Sequence, residues 1–243
     1  MSVWVFLLIC LLVPQSALCE KLLSKESDGT NWDAFFGVDP GEFVSRESFL
    51  ILGVSGMASV WTWEEFDERQ HLTQKALEGS WIEPALDIGN VYGSGWLVGG
   101  GSLSLLASGH ITGKPELREF GGDLLRSYLY TGGVVLAIKH SVKRTRPSGG
   151  ELSFPSGHTA TAFSTVPVVW HHFGWQAGVA SSALSVCTGL ARLENNLHYL
   201  SDVIIGATIG LVVGRAVVGN RKQNEWLEHV VVTGQGVSLV WSF

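Results

Sequence analysis

TATAFSTVPVVWHHF (159–173), AGVASSALSVCTGLAR (177–192) and DVIIGATIGLVVGRAVV (202–218) are the stretches whose reading decides the fold. Each is an apolar run of helical length diluted by Gly, Ala, Ser and Thr, and turn-prone residues separate one from the next. Upstream lie an apolar segment from Phe49 to Trp63 and a charged amphipathic stretch from Glu64 to Glu78. A Gly- and Ser-rich apolar segment from Ile88 to Ser108 and a helical pattern from Asp123 to Val142 follow. These segments predict an all-α fold, a helical bundle of about six core helices spanning residues 46–222.

A membrane-crossing helix needs about 20 mainly apolar residues. Asp202 to Val218 comes nearest, and it carries Arg215. The other segments are short or interrupted by polar residues. The sequence therefore predicts a compact bundle with membrane association rather than six spans. Small residues suit close helix packing in either solvent.

The ends read differently. Val3 to Val13 is an apolar run ending at Pro14, followed by Ser16-Ala17-Leu18-Cys19 and then by polar Glu20 and Lys21. Residues 1–19 are read as a signal peptide or anchor, which makes the protein exported, and either periplasmic or membrane-associated. Residues 20–45, with turn signals at Asp28-Gly29 and Asp39-Pro40-Gly41, form an extended leader. At the other end, Val230-Val231-Val232 and the alternating Val237, Leu239, Trp241 and Phe243 flank Thr233-Gly234-Gln235-Gly236. That pattern predicts a small C-terminal β-hairpin over 226–243.

Composition narrows the function. Charged residues make up 16% of the chain, against about 25% in an ordinary soluble domain. The net charge of −6 argues against a nucleic-acid partner. Of the 3 cysteines, Cys10 and Cys19 fall in the signal and only Cys187 remains, so neither a disulfide framework nor a cysteine metal site is expected. Within this acidic chain, Lys139, Lys143, Arg144 and Arg146 make a basic island suited to an anionic ligand.

Three clusters carry chemistry. In the first, Lys139 and Arg146 stand seven apart, which on one helix returns them to nearly the same face. Pro147 disfavours helix at the residue before it, so Arg146 is placed near a helix end. An Arg fork and a mobile Lys charge can converge on one phosphate. The second cluster is Phe154-Pro155-Ser156-Gly157-His158-Thr159. Pro155 and Ser156 suit a helix start, Gly157 admits an anion close to backbone, and helix N-terminal amides favour negative charge. His158 at that spot can donate a proton to a leaving oxygen.

In the third cluster, His198 and Asp202 are four apart, the spacing of neighbours on one helix face. The carboxylate can fix the imidazole tautomer and leave the other nitrogen free to attack. Arg192 would point the wrong way on one continuous helix. Glu194-Asn195-Asn196 therefore reads as a break, with Arg192 ending one helix and His198 preceding or opening the next. Taken singly, each cluster also has a plain structural reading: a solvated basic face, a capping turn and a surface His–Asp pair.

Together, in this order and spacing, the clusters resemble the signature of the type 2 phosphatidic acid phosphatase family: K-x6-R-P, P-S-G-H and S-R-x5-H-x3-D. The resemblance covers about Asp123 to Val218. It departs at Ala191, where the family pattern has serine. It implies that His198 attacks phosphorus to form a phosphohistidine, that Asp202 holds His198, and that His158 protonates the leaving alkoxide and then activates water. It further implies that Lys139, Arg146, Arg192 and the amides near Ser156 and Gly157 hold the phosphate. No metal and no other cofactor is expected. The implied partner is a phosphorylated lipid or a small phosphomonoester: phosphatidic acid, phosphatidylglycerophosphate, an isoprenyl diphosphate or a lipid A phosphate.

Two other function classes compete. A vanadium-dependent haloperoxidase shares this site architecture, but such chains are usually much longer, and halide oxidation with added vanadate separates it from the phosphatase. A noncatalytic membrane-associated binding protein would keep its cellular function in His198→Ala. Elsewhere, Lys143 and Arg144 read as loop charges, and His171-His172 as a helix-end feature without an obvious acidic partner. Trp61, Trp63, Trp170 and Trp175 either form an interfacial belt or pack the core.

Overall fold

The computed structural model describes residues 45–219 and two short strands, 230–233 and 236–239. Among the described residues seven α-helices follow one another: α1 (Arg46–Glu65), α2 (Gln70–Leu77), α3 (Glu83–Tyr92), α4 (Gly95–Thr112), α5 (Pro115–Val142), α6 (Gly157–Glu194) and α7 (Leu200–Val218). A 3₁₀ turn at Asp67–Arg69 links α1 to α2. The expected signal and leader lie outside the described residues. In the tail, β1 (Val230–Thr233) pairs antiparallel with β2 (Gly236–Leu239), Val230 opposite Leu239 and Thr233 opposite Gly236.

Where the sequence predicts helices at 159–173 and 177–192, the chain forms two helical arms within α6. They meet at Gly174, whose φ of 81° and ψ of −179° leave helical geometry. A φ in that region is readily available only to glycine. The arms fold back on one another: a Cβ added at Gly178 would collide with the Trp170 ring. Thr165 Oγ1 and Ser181 Oγ are 3.2 Å apart, and the Tyr92 hydroxyl bridges both. Counting these arms separately, α1, α4, α5 and α7 complete six long helices, with α2 and α3 as short additions.

Two expectations change. The Ile88–Ser108 segment is not continuous. It divides into α3 and α4 at Gly93, the C-cap of α3, which lies close against Thr188 and the His158 carbonyl, and Ser94 is the N-cap of α4. The Lys139–Arg146 stretch is not one helix either. α5 ends at Val142, and Lys143 takes a left-handed conformation at φ 51°. Arg146 therefore sits in the following loop.

The core lies between α5, the first arm of α6, and α7. Leu124, Val168, Ala216, Val217 and Val218 pack as one buried group, and Val135, Ala160, Ile209 and Val213 as another. A row of glycines on α7, four residues apart, faces the start of α6. A Cβ at Gly206 would lie 2.5 Å from the Ser156 carbonyl oxygen, and one at Gly214 2.5 Å from that of Ser164. One at Gly210 would strike the Ala160 carbonyl. These close approaches bring the two backbones into direct contact, as small-residue stripes do. Among the described residues, α7 is the one helix long and apolar enough to cross a membrane, and 72% of that window is buried inside the bundle.

Candidate active site

The site assembles where α5 ends, α6 begins and ends, and α7 begins. Lys139, in the last turn of α5, is 9% exposed. Its Nζ donates to the carbonyls of Leu152 at 2.5 Å and Ser153 at 3.3 Å, so the ammonium pins the loop that leads into α6. That loop is tight. The Arg146 backbone N–H donates to the Gly150 carbonyl at 2.7 Å, and Arg146 Nε to the Glu151 carbonyl at 3.0 Å.

At the α6 start, Ser156 is fully buried at the N-cap position, its hydroxyl 2.9 Å from that of Thr159. Its backbone N–H donates to the Asp202 carbonyl at 3.0 Å, which ties the second cluster to the third. Gly157 opens the helix beside the Lys139 stem, and its position admits a Cβ at ordinary contact distances. His158 follows on the first turn.

Arg192 stands in the last turn of α6, 5% exposed, and its Nε is buried without a hydrogen-bond partner. The break expected at Glu194–Asn196 is present: α6 stops at Glu194, Asn196 adopts φ 55°, and the Leu197 N–H turns back to the Arg192 carbonyl at 3.1 Å. His198, 3% exposed, precedes α7 by two residues. Ala191 is fully buried in the last turn of α6.

One geometric expectation needs correction. His198 and Asp202 do not share a helix face, because His198 lies in the loop and Asp202 at the third position of α7. They meet because the loop curls over the helix start, placing His198 Nδ1 3.4 Å from Asp202 Oδ2. At that distance the contact is longer than a well-formed hydrogen bond. The same oxygen accepts from Ser153 Oγ at 2.5 Å and from the Tyr199 N–H at 3.0 Å. Since Nδ1 faces the carboxylate, Nε2 is the nitrogen left to other chemistry.

The electrostatics show that these groups act on one another. Burial, followed by Arg192, His198, Arg146 and Lys139, pushes His158 down to about 4 from its ordinary 6.5. Burial and then Arg146 lower Lys139 to about 8, against a smaller opposing pull from Asp202. Burial also lowers Arg192, again with help from Arg146. His198 is lowered because burial outweighs its attraction to Asp202. For Asp202, burial acts upward but is outweighed by His198, Arg144, Ser153 and Tyr199, leaving it below the usual carboxylate range. The site is thus a buried concentration of positive charge around two histidines held toward their neutral forms.

Several partners were not visible from sequence. Arg144 is not a solvated loop charge: its side chain is 12% exposed and bonded to Asp67 and Asp202. No sequence signal links Asp67 to a residue 77 positions later. Trp63, read as belt or core, lies on Arg144. His172 does have an acidic partner, since its Nε2 is 2.8 Å from Asp123 Oδ2, and Arg126 shares that carboxylate.

The comparisons with known proteins agree with this architecture. Residues 120–226 match the family model of the PAP2 superfamily. Over 87 residues the chain is 42% identical to the lipid A 1-phosphatase of Porphyromonas gingivalis, a match covering 34% of this chain and 20% of that protein. Over 118 residues it is 25% identical to the lipid A 4'-phosphatase of Helicobacter pylori, covering 44% of this chain and 60% of that protein. The matched stretches thus span only a fifth and three fifths of these relatives' lengths. Among solved structures, Aquifex aeolicus LpxE aligns with TM-score 0.50 at 20% identity, covering 61% of this chain and 93% of that one. The first transmembrane PAP2 type phosphatidylglycerolphosphate phosphatase from Bacillus subtilis aligns with TM-score 0.51 at 17% identity, covering 74% of this chain and 100% of that one. At these identities the structural likenesses show a shared fold.

Proposed function

We propose that this chain, which matches the PAP2 superfamily model over residues 120–226, is a member of that superfamily and hydrolyses phosphate monoesters on a lipid or other membrane-linked molecule through a phosphohistidine at His198. The observation that carries the reading is Arg192: a guanidinium 5% exposed, its Nε buried and unpartnered, within electrostatic reach of Arg146 and His158. A buried cation without compensation is costly. A phosphoryl group supplies both the charge and the acceptors such a set calls for.

In this reading His198 Nε2 attacks phosphorus while Nδ1 stays toward Asp202. The N–P bond forms as the bond to the leaving oxygen breaks, and His158 passes its proton to that oxygen. His158 then takes a proton from water, whose oxygen attacks phosphorus and breaks the N–P bond, returning His198 and releasing phosphate. The low basicity of His198 keeps it neutral, and therefore nucleophilic, at neutral pH. A value of about 4 leaves His158 in the wrong protonation state for a donor at neutral pH. Burial is the larger cause, and a phosphate dianion among Lys139, Arg146 and Arg192 opposes the part that the cations contribute, moving His158 toward its protonated form.

A lipid substrate is supported by the relatives' names and by apolar side chains left on the outside of the bundle. Phe49, Leu52, Val54 and Met57 on α1, Leu103 and Ile111 on α4, and Leu129 and Leu136 on α5 are all exposed. Patches of this kind mark membrane or partner surfaces. The reading includes export by the 1–19 segment and a site acting outside the cytoplasm.

The test is phosphate release by purified protein on lipid A, phosphatidic acid and p-nitrophenyl phosphate in mixed micelles, with EDTA present and vanadate as inhibitor. Turnover resistant to EDTA and blocked by vanadate is expected. A requirement for a divalent ion would overturn the mechanism.

A pH dependence follows from His158 and His198. Both are held below the ordinary imidazole value, so the folded chain takes up these protons later than the unfolded chain does. Their contribution to stability is present above about 6.5 and is lost as pH falls toward about 4. The ligand-free protein should therefore melt at progressively lower temperature across that window, and inorganic phosphate should reduce the drop. A melting temperature flat from pH 7 to pH 4.5 contradicts this account of the site.

A further inference from the structure

Resting on the phosphatase reading above, we infer that Arg144, anchored by Asp67, is a positioning residue for the nucleophile, setting His198 through Asp202 and Tyr199 without touching substrate. Arg144 Nη1 donates to Asp202 Oδ1 at 2.7 Å and to Ser201 Oγ at 2.8 Å, and Nη2 donates to Asp67 Oδ2 at 2.8 Å. Both faces of the guanidinium are covered as well. The Trp63 ring centroid is 3.6 Å from its central carbon, and the Tyr199 centroid 4.0 Å. With both Nη atoms bonded to protein acceptors and two rings packed against it, this guanidinium is committed to the protein. In this it differs from Arg192.

The partners locate the role. Tyr199 is the residue after His198, and Asp202 is the carboxylate beside His198 Nδ1. Arg144 occupies Oδ1 of Asp202 and leaves Oδ2 to Ser153, the Tyr199 N–H and His198. It thereby fixes which oxygen faces the imidazole. Asp67 holds the other side of the guanidinium and also accepts from Ser201 Oγ at 2.5 Å and the Ser201 N–H at 3.4 Å. The path Asp67–Arg144–Asp202–His198 thus connects the turn after α1 to the nucleophile. Asp67 is 5% exposed and Asp202 fully buried, so the bonds are shielded from competing water. Only a planar fork can hold three acceptors and two rings together, and a lysine cannot.

A simple staple between α1 and α7 would make the same contacts, so the test must read more than stability. The measurements are kcat, KM and the titration of His198 followed by 15N NMR on the full chain, in Arg144→Ala, Arg144→Lys and Asp67→Asn. Arg144→Ala should lower kcat by about ten- to a hundredfold with KM little changed, as displacement of a reacting group does. Arg144→Lys should lose comparable rate, because charge without the fork does not hold the geometry.

The titration carries the sign. Asp202, Lys139 and Arg146 act electrostatically at His198, and Arg192, Arg146 and Lys139 at His158 beside it; all of them stay constant across the variants. Removing the cation bound to Asp202 frees the carboxylate's charge for His198 and moves its titration upward in Arg144→Ala. Removing the anion in Asp67→Asn moves it downward, and that variant carries the test if Arg144→Ala does not fold. Arg144→Lys keeps the titration near wild type. The inference is overturned by a kcat within twofold of wild type in folded Arg144→Ala, by a raised KM at unchanged kcat, or by an unmoved His198 titration in the variants that change charge. If the wild-type chain releases no phosphate from any substrate, the phosphatase reading falls instead, and the NMR titration still decides whether Arg144 governs His198.

Discussion

His198→Ala is expected to reduce phosphate release by at least about 10⁴-fold, the scale seen when a nucleophile is removed from a covalent mechanism. In the proposed mechanism the two-step path goes through the His198 ring, and no neighbour takes its place. His158 sits at the opposite side of the reacting phosphorus in the proposed mechanism, and Lys139 is committed to the carbonyls of Leu152 and Ser153. The chemical signature is as informative as the rate. Rapid acid-free quenching with labelled substrate should trap an acid-labile phosphoryl group on the wild-type chain and none on the variant. Because His198 is 3% exposed, truncation also opens a buried gap, so circular dichroism and vanadate binding should accompany the assay. Trapping that survives in His198→Ala places the nucleophile elsewhere.

Arg192→Ala is expected to lower kcat/KM by about 10³-fold, at the upper end of what one preorganised donor to transition-state charge supplies. The reasoning runs through its lack of partners. Arg144 and Arg146 are bonded to protein acceptors, whereas Arg192 holds a buried Nε with none. Its donors are therefore preorganised for a ligand without having to break an internal bond first. Arg192→Lys should recover only part of the loss, since an ammonium offers charge without the bidentate fork. The loss should also appear as weakened vanadate inhibition. In the ligand-free state the change has the opposite sign: removing an uncompensated buried cation should raise the melting temperature or leave it unchanged. A clear fall in melting temperature together with unchanged kcat/KM would make Arg192 a structural residue.

The parts legible in the sequence were those set by short-range spacing. The break after Arg192, the helix start at Ser156–Gly157 and the apolar pattern of α7 each depend on residues within a few positions of one another, and each is where the local chemistry puts it. What sequence reasoning missed depends on distance. Arg144 finds Asp67 across 77 residues, and Trp63 reaches it from another helix, so no periodicity could announce either contact. The His198–Asp202 pair shows a subtler failure. Four-residue spacing was the right cue read through the wrong geometry, since a loop curling over a helix start brings the two together as effectively as a helix turn would. Similarly, Lys139 and Arg146 serve the same region with a left-handed residue between them rather than along one helix. The hairpin of the α6 arms was readable as two segments, but Gly174 gave no sign that they would fold back within one continuous run.

The glycine row on α7 has a consequence for how this catalyst can be tuned. His158 rides on the first turn of α6 and Asp202 on the first turn of α7, and below them the two backbones meet with no side chains to act as a cushion. In the proposed mechanism the proton donor and the support of the nucleophile therefore stand on one tightly packed unit. If the proposed mechanism holds, discrimination between one phosphorylated molecule and another is expected to come from the surrounding loops and flanking helices rather than from widening or narrowing the gap between these two helix starts.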